Sequence, residues 1–135
     1  MTNEASVTRD FKHWLEKNRP TECTVYEFKI IKLDKQKSFA FSRVAEHQVE
    51  YLLASLEGFW LKIPDTSAIN GFSSQKPFDV AWIKSKFAFV VPIFYLPRKI
   101  KTAVMIPILE FIKLRSTHPK KSIHLEELQF EKIEL

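Results

Sequence analysis

A chain of 135 residues that is 45% hydrophobic has enough apolar material for one compact core, and its 2 glycines are too few for a glycine-built phosphate loop or dinucleotide fingerprint. Lys and Arg total 21 against 16 Asp and Glu, a net charge of +5 that favours a polyanionic partner. One cysteine excludes an internal disulfide, 4 scattered histidines give no zinc spacing, and no apolar run has membrane-spanning length.

The N-terminal stretch carries acids and no apolar leader, so a cytosolic, non-secreted protein is expected. From Ala5 to Lys17, the residues Val7, Phe11, Trp14 and Leu15 fall at i, i+4, i+7 and i+8, which predicts an amphipathic helix ending before Asn18-Arg19-Pro20. Thr24 to Lys32, TVYEFKIIK, alternates β-branched and aromatic residues and reads as a strand. A polar connection with Lys35 and Lys37 follows. Ser42 is the expected N-cap of a second helix reaching Leu56, with Gly58 just past its end. Phe59 to Ile63 is a short apolar strand, and the stretch around Asn70-Gly71 is a loop by composition. PFDVAWIKSKFAFVVPIFY reads as two strands joined at Lys84-Ser85-Lys86 in an antiparallel hairpin, with Pro92 placing the second at an edge or bulge. A basic cluster, Arg98, Lys99 and Lys101, precedes the strand AVMIPI. The tail contains HPKKSIH, expected to be a solvated connection, and a short helix opened by Ser122. Nothing in composition marks a domain boundary, so the chain reads as one domain over residues 1–135.

Four polar residues stand out against this background. Strand periodicity puts Glu27 and Lys29 on one face, which on its own is ordinarily the solvent side of a half-exposed strand. Gln48 lies four residues from both Val44 and Leu52, on or beside the buried stripe of the second helix, where an amide needs partners; capping a neighbouring backbone group is one use for it. Asp79 opens a strand on an apolar face, where a carboxylate is costly unless a cation holds it, although it also suits a turn, as does Asp65.

In order, the chain reads Glu27-Phe28-Lys29, then FSRVAEHQ from Phe41 to Gln48, then Lys62-Ile63-Pro64-Asp65, then Lys76-Pro77-Phe78-Asp79. This resembles the PD-(D/E)XK nuclease superfamily, in the circularly permuted branch of phage-type Holliday junction resolvases, over residues 24–95. The resemblance implies an α/β (α+β) fold of restriction-endonuclease type: a mixed central sheet flanked by helices, with permuted strand order. It implies a βαβ unit joining the Glu27 strand, the second helix and the Phe59 strand, with the Asp79 hairpin paired against the free side of the Glu27 strand.

The implied activity is Mg²⁺- or Mn²⁺-dependent hydrolysis of a DNA phosphodiester, on branched DNA. Glu27 and Asp79 would bind the metal, Lys29 would contact phosphate or water, and Gln48 would orient a ligand or the water. Lys35, Lys37, Lys76, Arg98, Lys99 and Lys101 would meet DNA phosphates, and Asp65, Asp10 and Glu16 are secondary acidic candidates. Symmetrical cutting of two strands implies a homodimer in the cytoplasm or on the nucleoid, without membrane association. Two other classes compete: a non-catalytic nucleic-acid-binding protein that keeps the fold, and a structural protein with no carboxylate opposite Glu27 and Lys29.

Overall fold

The computed structural model describes residues 4–19, 24–64 and 78–135. Helix α1 (Glu4–Asn18) begins the chain and buries Val7 and Phe11 as the apolar stripe requires. It closes where Asn18 Nδ2 donates to the Trp14 carbonyl at 2.8 Å. Strand β1 (Thr24–Lys32) has the bounds read from its alternation. Beyond a turn come β2 (Ser38–Ala40), a 3₁₀ turn (Phe41–Arg43) and helix α2 (Glu46–Glu57). Strands β3 (Phe59–Pro64), β4 (Phe78–Ile83), β5 (Phe87–Leu96) and β6 (Ile100–Pro107) follow. Helix α3 (Ile108–Thr117), β7 (Ser122–His124), a 3₁₀ turn (Leu125–Glu127) and β8 (Glu131–Glu134) complete the chain.

The central sheet is mixed and mostly antiparallel, in the order β1-β5-β6-β8, with only β1 and β5 parallel. Its two faces carry separate cores, as period-two alternation demands. On one face Tyr26, Phe28, Ile30, Val91, Ile93, Ala103 and Met105 pack with Val7 and Phe11 of α1. On the other Ile31, Val90, Phe94, Val104 and Ile106 pack with Val49 and Leu52 of α2 and Ile108 and Phe111 of α3. The sheet is therefore the middle of three layers, and Glu27 and Lys29 face the layer made by α2 and α3.

The strand pairing departs from the sequence expectation in two places. Strand β5 does not form a hairpin with β4; it lies parallel to β1, with Glu27 opposite Val90 and Lys29 opposite Pro92. Strand β3 does not join β1 in a βαβ unit but pairs with β4 as a separate antiparallel ribbon, with Trp60 opposite Trp82 and Ile63 opposite Asp79. Among the described residues β1 is an edge strand. The supposed turn at Lys84-Ser85-Lys86 instead ties the ribbon to α2: Ser85 is buried, its N–H donates to the Ser55 carbonyl at 2.8 Å, and its hydroxyl bonds the Ser55 hydroxyl at 2.9 Å.

Three smaller readings are also corrected. Pro92 lies in the interior strand β5, not at an edge or bulge. The register passes from Val90–Ile106 to Ile93–Ala103, skipping equal numbers of residues on both strands, so the missing proline N–H interrupts the β5–β6 ladder without a bulge. Ala45, not Ser42, is the N-cap of α2. Ser122 opens strand β7, paired with β2, and no helix begins there.

Gly58 joins α2 to the ribbon with φ +103° and ψ 149°, a region essentially confined to glycine. A Cβ there would also run into the Trp82 indole. Gly58→Ala is expected to lower stability by about 1–3 kcal/mol in urea denaturation, the backbone conformation being the main cause since the exposed Trp82 can swing aside. An unchanged denaturation midpoint would show that the connection tolerates another path.

Candidate functional site

Strand alternation and helix capping together bring Glu27, Lys29 and Gln48 to one point. The amine of Lys29 lies 3.3 Å from Glu27 Oε1, with both side chains largely covered. Gln48 is the third residue of α2. Its Oε1 accepts the N–H of the N-cap residue Ala45 at 3.0 Å, and its Nε2 donates to Glu27 Oε1 at 2.9 Å. Ala45 has no side-chain oxygen to accept a first-turn N–H, and the bond to Gln48 satisfies the N-cap residue's own N–H, the reciprocal half of a capping box. That bond orients the amide, because the opposite rotamer would set NH₂ against the Ala45 N–H and oxygen against a carboxylate. Gln48 thus bonds a backbone group with one end, a use expected of it, and holds the Glu27 carboxylate with the other.

The neighbouring Arg43, not singled out from the sequence, donates from Nη1 to the Ile30 carbonyl at 2.6 Å and so satisfies a backbone acceptor of the edge strand. The only sequence signal for it is its place inside the FSRVAEHQ stretch.

The other candidates are scattered. Asp79 is placed by its backbone near the start of β4, opposite Ile63 on a ribbon that is not hydrogen-bonded to β1; its side chain lies outside the described atoms. Asp65 and Lys76 lie outside the described residues. Asp10 of α1 accepts an ion pair from Lys101 of β6 at 2.6 Å, so these two neutralise each other on the α1 side of the sheet, away from Glu27. Glu16 is exposed on α1, and Lys35, Lys37 and Lys99 are exposed in turns. Arg98 is exposed with φ 62° in the tight turn between β5 and β6.

A divalent cation such as Mg²⁺ requires several hard oxygen donors, preferably carboxylates. Glu27 is a donor of the right kind, and both of its contacts fall on Oε1, leaving Oε2 without a partner among the described residues. In number the set is incomplete: among the described residues no three His, Cys, Asp or Glu side chains converge on a point that could hold a metal ion. Among the described residues no helix is long and apolar enough to cross a membrane. Comparison of the chain with protein-family models, curated proteins and solved structures finds no match in any of the three.

Proposed function

We propose that this chain is a metal-dependent DNA endonuclease of the permuted PD-(D/E)XK type, acting on branched DNA. The observation that carries the reading is the convergence of a carboxylate, an amine and an amide from two adjacent same-face strand positions and the first turn of the covering helix. In this reading Glu27 and Asp79 hold Mg²⁺ or Mn²⁺, which when bound supplies Lewis acidity and neutralises charge at the scissile phosphate. Gln48 keeps the Glu27 carboxylate in one orientation. Lys29 sits beside that carboxylate where it can donate to a phosphate oxygen and stabilise its added negative charge. Two copies acting together would cut two strands symmetrically, so a homodimer belongs to the proposal.

One observation favours a second reading, a nucleic-acid-binding protein without catalysis: Asp79 is carried on a ribbon separate from the sheet that holds Glu27. The test is cleavage of end-labelled four-way-junction and matched linear duplex DNA with Mg²⁺ or Mn²⁺, comparing wild type with Asp79→Ala. The endonuclease reading expects junction cutting that needs metal and is lost in the variant. Equal cutting of both substrates removes the preference for branches. Binding with no cutting of either substrate supports the second reading.

A further inference from the structure

The stretch RSTHPKKS, from Arg115 to Ser122, concentrates positive charge that the Glu27 site does not use. Pro119 cannot continue α3, and the helix closes with the His118 N–H donating to the Leu114 carbonyl at 2.9 Å. The chain then bends back, the Lys120 N–H donating to His118 Nδ1 at 3.2 Å and the Phe41 N–H to the Lys121 carbonyl at 3.1 Å. Pairing of β7 with β2 holds this bend against the 3₁₀ turn at Phe41–Arg43. HPKKSIH is therefore one wall of a cleft, and Pro119, Lys120, Lys121 and His124 are exposed as a solvated connection requires. The cleft has a volume of about 330 Å³, and Ser42, Arg115, His118, Lys120 and Lys121 line it with Phe41 and Pro119.

Among the described residues no carboxylate lines it. Among the described residues two acids approach its lining groups: Glu46 bonds Arg115 Nη1 at 2.6 Å, and Glu127 lies 3.6 Å from His118 Nε2. Glu127 is itself occupied by the His124 N–H at 2.9 Å, which holds its carboxyl below the usual range. The Arg115 guanidinium also rests 5.8 Å from the centre of the Phe111 ring, so its position is prepared in advance. Lys120 and Lys121 are exposed and have no acidic partner among the described residues. Cations and a hydroxyl around an apolar floor suit a phosphate joined to a sugar ring.

We propose that this cleft is a phosphate-binding site that grips the sugar-phosphate backbone of a nucleic-acid strand; naming DNA as the source of that phosphate rests on the endonuclease reading. Its position fits the assignment. Arg115 reaches Glu46 in the first turn of α2, the same turn from which Gln48 holds Glu27, so cleft and candidate active site share one end of that helix.

The test is binding of fluorescently labelled four-way junction to the full chain in EDTA, between about 50 and 200 mM salt, where cleavage plays no part. Wild type is compared with Lys120→Glu/Lys121→Glu and with a control of equal charge change on α1, Lys12→Glu/Lys17→Glu. The cleft variant is expected to bind about tenfold or more weakly at 100 mM salt, its log–log salt slope reduced by about 1.8 for two lost phosphate contacts. The control is expected to keep the wild-type slope. Equal weakening of both variants would overturn the proposal, because net charge alone would then account for binding. If wild type binds no DNA, inorganic phosphate is titrated while the Ser42, Lys120 and Lys121 amide resonances are followed. Shifts in wild type that vanish in the cleft variant would keep the phosphate site and remove the DNA reading, and no shift would overturn the proposal.

Discussion

Glu27→Gln is expected to reduce metal-dependent DNA cleavage by about 10²–10³-fold, the scale found when one pre-organised polar group is removed from an active site, while DNA binding in EDTA remains within a few-fold of wild type. The substitution is nearly isosteric, and the new side-chain oxygen can still accept the Gln48 Nε2 hydrogen bond, so the first turn of α2 keeps its anchor. What is lost is the negative charge, and with it the hard donor for a cation and the partner of Lys29. The discriminating quantity is the ratio of cleavage to binding. A fall in both together would indicate that the substitution disturbed the fold or the DNA surface. Undiminished cleavage would remove Glu27 from the chemistry and leave Lys29 and Gln48 as supports of an edge strand.

Phe111→Ala is expected to cost about 3–5 kcal/mol, much of the roughly 5–15 kcal/mol that holds a domain of this kind together. Phe111 is completely buried on α3 and meets the rings of Phe39 and Phe41 at 6.3 and 6.0 Å. Its removal empties the place where α3, β2 and the 3₁₀ turn come together, and rigid neighbours from three elements cannot all move in to fill it. The measurement is urea unfolding followed by far-ultraviolet circular dichroism, with a drop in melting temperature of about 10–20 °C as the thermal counterpart. A loss under about 1 kcal/mol would show that the face between sheet and α3 repacks freely. Because Arg115 rests on the same ring, the variant should also blunt the phosphate cleft.

What the sequence revealed was governed by local rules. The bounds of β1 and the buried face of α1 followed from periodicities of two and 3.6, which need no knowledge of partners. Alternation also put Glu27 and Lys29 on one strand face and helical spacing put Gln48 beside the buried stripe of α2, whereas the meeting of the three was implied only by the nuclease resemblance. Pairing was not legible, because β5 is apolar at every position from Phe87 to Leu96, so alternation cannot say which strand lies beside it. Two lysines made Lys84-Ser85-Lys86 look like a solvent turn, whereas the small hydroxyl between them fits a buried site against Ser55. Ser42 is a better intrinsic cap than Ala45, yet it lies inside the 3₁₀ turn Phe41–Arg43 and α2 starts only at Glu46, where Gln48 ties down the Ala45 N–H. The phosphate cleft was hidden because charge in a sequence says nothing about which carbonyl, here that of Lys121, is stitched to which distant N–H.

The ribbon of β3 and β4 has an optical consequence. Of the 3 tryptophans in the chain, Trp60 and Trp82 stand in water on it, 66% and 51% exposed with their rings 5.3 Å apart, while Trp14 is half-covered beneath the Arg19 guanidinium. Two-stranded ribbons are marginally stable, and this one contributes no tryptophan to either core. Intrinsic fluorescence therefore reports first on the ribbon, through quenching between the paired indoles and their contact with solvent. A fluorescence transition that precedes loss of ellipticity in this protein would mark separation of Trp60 from Trp82, not a populated folding intermediate of the sheet.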